Sequence, residues 1–147
     1  MNRRKFLLLS AVAVAGLTLA PAIKPAFASS KLEEEVKKRI GVDLSAIKES
    51  ADIKLTAPTI AESGANVPIT VESTIPVDKV ERLWIFVDKN PVPWITDVKF
   101  TPENGMVYLS TRIKMGGTSN VRAILQLKDG TFVMATKEVK VTAGGCG

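Results

Sequence analysis

The sequence predicts an all-β protein, an immunoglobulin-like antiparallel sandwich of about seven strands with a short helix before it and a glycine-cysteine tail after it. Three observations carry that prediction. After Asp52 the apolar residues recur with period two, at Ile53 and Leu55 and then at Val67, Ile69 and Val71. Turn residues punctuate the chain at Asn90-Pro91, Pro102-Glu103-Asn104-Gly105, Gly116-Gly117 and Asp129-Gly130. No helical crossover separates the runs, which removes the parallel α/β architectures.

The elements follow in order. Arg3-Arg4-Lys5 precedes an apolar run from Phe6 to Ala20, and the small residues Ala26-Phe27-Ala28 precede Ser29, the pattern of a cleaved targeting peptide over residues 1–28. The apolar stretch stops at Pro21, short of the roughly 20 residues a spanning helix needs, so cleavage after Ala28 is expected rather than a membrane anchor. Asn2-Arg3-Arg4-Lys5-Phe6-Leu7 has the form of a twin-arginine signal, which directs export of folded protein.

That segment holds Arg3, Arg4, Lys5 and Lys24 and no acid, so of 20 basic residues 16 remain against 15 acidic ones. The mature chain is therefore close to neutral, and the basic footprint expected of a nucleic-acid binder is absent. With 119 residues from Ser29 it has the size of one domain.

Within residues 29–51, Ser30-Lys31-Leu32-Glu33 has capping-box spacing, and Leu32, Val36 and Ile40 recur every four residues among Glu and Lys. This predicts a short amphipathic helix that ends at Gly41, with a further turn at Leu44-Ser45-Ala46-Ile47. It reads as a prop for the domain or a partner contact. The sandwich is expected over residues 52–143, its later strands at Val80–Val87, Ile95–Phe100, Val107–Lys114, Val121–Leu127 and Phe132–Val141. Trp84 is expected in the sandwich core. Trp94, beside a proline-rich turn, is a candidate for a partner interface.

The sequence contains no histidine and one cysteine. Without histidine no Ser-His or Cys-His pair forms within the chain, and a His/Cys metal cluster is equally excluded. No cofactor or metal is expected. A single cysteine also rules out a Cys-x-x-Cys redox couple and an internal disulfide.

That cysteine, Cys146, lies in the tail 144–147, Gly144-Gly145-Cys146-Gly147, where packing capacity ends. Glycines on both sides give a thin stalk, about 10 Å long when extended beyond Ala143, suited to entering a narrow cleft of another protein. An exposed thiol in an oxidising compartment is prone to mixed disulfides and oxidation, so its retention calls for a use. Three readings remain open on the residues alone: an incidental tail, a disulfide that joins two non-catalytic structural subunits, or an arm that carries a covalently attached group. An independent thiol enzyme has no residue to activate or resolve the thiol.

Several segments resemble the SoxY family, the sulfur-carrier subunits of the periplasmic thiosulfate-oxidising system. They are the twin-arginine leader, Ile53-Lys54-Leu55-Thr56-Ala57-Pro58, Ile60-Ala61-Glu62-Ser63-Gly64 and Val67-Pro68-Ile69-Thr70-Val71-Glu72. Lys89-Asn90-Pro91, Ser110-Thr111-Arg112-Ile113-Lys114-Met115 and Val139-Lys140-Val141-Thr142 continue the resemblance to the Gly-Gly-Cys-Gly end. It implies a non-enzymatic carrier in the periplasm, with sulfur held as thiosulfonate or persulfide on Cys146 and Gly144, Gly145 and Gly147 forming a flexible arm. It also implies SoxZ as heterodimer partner, the haem enzyme SoxAX for loading and the hydrolase SoxB for sulfate release, with the sulfur dehydrogenase SoxCD as a further candidate. The family pattern usually ends Gly-Gly-Cys-Gly-Gly, whereas this sequence stops at Gly147. On that departure the α-carboxylate is expected one residue nearer the thiol, where a negative charge would oppose formation of the thiolate.

Overall fold

The computed structural model describes residues 27–145. The targeting segment before Phe27, and Cys146 and Gly147, lie outside the described residues.

Helix α1 spans Phe27–Ile40, with Lys37, Lys38 and Arg39 in its last turn, where cations complement the helix dipole. It begins upstream of Ser30, the expected cap, because nothing at Ala28 or Ser29 breaks a helix. Gly41 closes it as expected, at φ +87° with its N–H donated to the carbonyl of Lys37 at 2.9 Å. Leu44–Ala46 forms the expected further turn, a piece of 3-10 helix.

Nine strands follow: β1 (Lys48–Glu49), β2 (Ile53–Thr56), β3 (Ile60–Ala61), β4 (Val67–Ser73), β5 (Val80–Val87), β6 (Trp94–Lys99), β7 (Val107–Ile113), β8 (Ser119–Leu127) and β9 (Phe132–Val141). The larger sheet runs β1-β9-β8-β5-β6 with β3 also on β9, and the smaller runs β2-β4-β7. The seven longer strands pair antiparallel, as the immunoglobulin-like expectation required. β1 and β3 were not expected. Each adds two residues in parallel to the outer edge of β9, at Val133–Met134 and at Lys140–Val141.

Alternation along the strands divides the apolar residues between two cores. Leu83, Ile85 and Val87 of β5 point into the space between the sheets, with Val121, Ala123 and Leu125 of β8 and Ile69 and Val71 of β4. The intervening residues face the other way. Trp84, Phe86, Ile124 and Met134 cover the outer face of the larger sheet, and Leu32 and Val36 of α1 close over them. Trp84 is thus buried, but under the helix rather than between the sheets. Trp94 packs at the margin of the same outer cluster, with the Arg39 guanidinium 3.7 Å from its ring centre. The two indole N–H groups are buried without a partner among the described residues.

The β8–β9 hairpin turns at Asp129-Gly130. Gly130 adopts φ +89°, and the Asp129 carboxylate accepts hydrogen bonds from the hydroxyl and the N–H of Thr131, which hold it below its ordinary pKa. This turn marks the end of the sandwich remote from the tail.

Candidate functional site: the root of the cysteine tail

At the other end of the sandwich, β9 leads directly into the tail. The Val141 N–H donates to the Thr118 hydroxyl at 3.0 Å. The Thr142 N–H donates to the carbonyl of Ala61 at 3.1 Å, and its hydroxyl to the carbonyl of Glu62 at 2.9 Å. The chain therefore leaves the sheet tied to the loop that follows β3.

The next three residues remain attached to the domain. Gly64 donates its N–H to the carbonyl of Ala143 at 2.8 Å, Met115 donates to the carbonyl of Gly64 at 2.7 Å, and Gly145 donates to the carbonyl of Met115 at 3.0 Å. Three backbone segments are laced together with the tail as one of them. Met115, fully buried, supplies both groups of its peptide backbone to the lacing, its N–H to Gly64 and its carbonyl to Gly145.

Asn90 holds Met115 in position from the other side. It is 3% exposed, donates its side-chain amide to the carbonyl of Lys114 at 2.9 Å, and accepts the N–H of Gly116 at 2.9 Å. The residues before and after Met115 are thereby pinned by one side chain. A buried amide satisfied on both sides fixes the loop conformation, since each unmade bond would leave a desolvated polar group.

The seam is also too tight for side chains. A Cβ on Gly64 would collide with the Met115 carbonyl oxygen and lie 2.8 Å from the Gly145 nitrogen. One on Gly144 would lie 2.6 Å from the Gly116 carbonyl oxygen, and one on Gly145 would lie 2.5 Å from the Ala65 nitrogen. The sequence treats Gly144 and Gly145 as a stalk projecting from Ala143. In the structure they lie in a seam where only glycine lets the backbones approach so closely. The last described anchor, the Gly145 N–H, is one residue before Cys146, which with Gly147 lies outside the described residues.

The resembling segments quoted from the sequence meet here. Gly64 ends one, Asn90 is the centre of another, Met115 ends a third, and Val141-Thr142 leads into the tail. Gly64, Asn90 and Met115 carry no chemistry of their own, so a search for nucleophiles or ligands passes over them. Among the described residues no group of acidic, histidine or cysteine side chains is placed to hold a metal ion.

The family model for the sulfur oxidation protein SoxY matches residues 37–146, a span that takes in every strand and ends on the cysteine. The chain belongs to the SoxY family. The structure of the sulfur carrier protein SoxY from Chlorobium limicola f thiosulfatophilum is similar at 35% identity and TM-score 0.67, over 79% of this chain and 96% of that one. A superoxide reductase (neelaredoxin) from Ignicoccus hospitalis matches at 16% identity and TM-score 0.54, over 66% of this chain and 82% of its own. A putative superoxide reductase from Thermotoga maritima matches at 14% identity and TM-score 0.54, over 68% and 98%. These two share the fold of the SoxY domain and no more. No curated protein sequence matches the chain.

Proposed function

We propose that the protein is a sulfur carrier in which Cys146 is the point of covalent attachment. The observation that supports this most directly is the extent of the SoxY family match, which reaches through the whole sandwich to Cys146 itself. A domain that has no histidine and whose one thiol stands in its tail is suited to bearing a group while other proteins act on it.

In the proposed cycle the Cys146 thiolate and thiosulfate join in a new S–S bond, giving a cysteinyl thiosulfonate, and a pair of electrons passes to the haem enzyme SoxAX. Water then cleaves the terminal S–S bond through SoxB, releasing sulfate and two protons and leaving a persulfide on the arm. SoxCD is the candidate for oxidising the remaining sulfur. SoxZ is the proposed heterodimer partner, and the work takes place in the periplasm after export and cleavage behind Ala28. Gly144, Gly145 and Gly147 form the arm that presents the thiol. The protein supplies the handle, and its partners supply the catalysts.

The test is thiosulfate-dependent turnover with the purified partner enzymes, together with the intact mass of the carrier. Cys146→Ser is expected to abolish turnover and the sulfur adduct, because a serine hydroxyl forms neither a persulfide nor a thiosulfonate. Turnover by the serine variant, or a symmetrical disulfide as the sole product on Cys146, would overturn the carrier reading.

A further inference from the structure

We infer that Gly64 and Asn90 are positioning residues for the carrier cysteine. The inference rests on the carrier reading of Cys146 and adds how the arm is aimed. The lacing fixes Gly145, the residue that precedes the thiol, against the Gly64 loop and the Met115 backbone. Gly64 supplies one N–H, one carbonyl and the space that a side chain would fill. Among the described residues the Asn90 side chain makes no hydrogen bond to the tail. It acts through Met115 by holding Lys114 and Gly116 on either side.

A seated root limits the directions in which the thiol leaves the domain. An arm attached at Ala143 alone would have three further residues to orient at each encounter, and ordering flexible segments on binding weakens the encounter. Pre-set aim therefore shows in the apparent affinity of a partner enzyme for the carrier, rather than in the reactivity of the thiol itself.

The experiment follows backbone amide exchange by NMR in the full-length mature protein, with loading kinetics on the same samples. In the wild type the Gly145 N–H is expected to exchange at least about tenfold more slowly than a free chain, as a hydrogen-bonded amide does. In Gly64→Ala and in Asn90→Ala that protection is expected to vanish while Val121 and Leu125 in the core stay protected. The KM of the thiosulfate-loading enzyme for the carrier should rise roughly tenfold with little change in kcat. The rate of Cys146 alkylation by a small reagent serves to show that the thiol remains competent.

Gly145→Ala covers the case in which the loop variants fail to fold, since its tail can leave the seam without disturbing the sheets; it should show the same KM rise. Free-chain exchange of Gly145 in the wild type overturns the inference. So does a KM that stays level or falls once protection is lost. Failure of the carrier reading would look different: Cys146→Ser would sustain turnover, with Gly145 exchange unaffected.

Discussion

Leu32→Ala tests whether α1 is an integral part of the fold. Leu32 is 2% exposed and closes over Trp84 and Phe86 on the outer face of the larger sheet, together with Val36. The substitution removes three apolar carbons, at about 0.8 kcal/mol each, so about 2.4 kcal/mol of transfer free energy is lost. The residual cavity adds to this, but a helix lying on a surface can settle inward, which keeps the total near the lower end for buried leucines, about 3 kcal/mol. For a domain of this size that corresponds to a fall in Tm of about 10 °C. Both tryptophans of the sequence belong to the outer cluster, so intrinsic fluorescence reports on helix docking while circular dichroism reports on the sheets. The variant should show red-shifted emission before the sheets melt. Lys38→Ala on the exposed face is the control, expected within about 0.5 kcal/mol of wild type. A loss below about 1 kcal/mol for Leu32→Ala, or unchanged emission, would refute the assignment of the helix to the core.

Arg122 makes a two-pronged pair with Asp88, Nε to Oδ1 at 2.7 Å and Nη2 to Oδ2 at 2.8 Å, and both side chains are mostly buried. Arg122→Met leaves the carboxylate without its cation and with only the Asn120 amide donating to it, at 3.3 Å, and should cost about 2 kcal/mol by urea denaturation, less than the roughly 3–5 kcal/mol of a fully buried pair. Gly130→Ala meets no steric obstacle but must hold φ +89°, so thermal denaturation should show a loss of about 1–2 kcal/mol from backbone strain alone. Because Asp129 is held below its ordinary pKa, its contribution is present above the usual carboxylate range and disappears as pH falls through the folded value. The stability gap between the wild type and Asp129→Asn, measured across acidic pH, should therefore close as the pH is lowered.

The strands were legible because each longer one satisfies a local rule. Alternation set β4, β5 and β8, and Asp129-Gly130 marked the last hairpin. Gly41 ended the helix where a left-handed residue was needed. What the sequence withheld was relational. Alternation in β5 says that Trp84 and Leu83 face opposite ways, but not that a helix covers one side, so Trp84 was expected between the sheets. β1 and β3 are two residues each, too short for any period to register. The seam at the tail joins residues 64, 90, 115 and 145 through backbone groups and one amide, and such contacts leave no pattern along the chain. Cys146 was visible as a chemical singularity. The setting of its root, where glycine serves close approach as well as freedom, required the fold.

The two short strands on β9 have a consequence for how the molecule behaves in a crowd. β9 is the longest strand, ten residues, and it would otherwise be the outermost strand on its side of the larger sheet. An uncovered edge of that length is a template for a strand from another copy, and proteins usually blunt such edges with charge, proline or a bulge. Here Lys48–Glu49 engages one end of it and Ile60–Ala61 the other. Neither stretch is long enough to recruit a further strand in turn. Only residues 135–139 remain between them, so this edge of the larger sheet offers no long run for a strand of another copy to pair with.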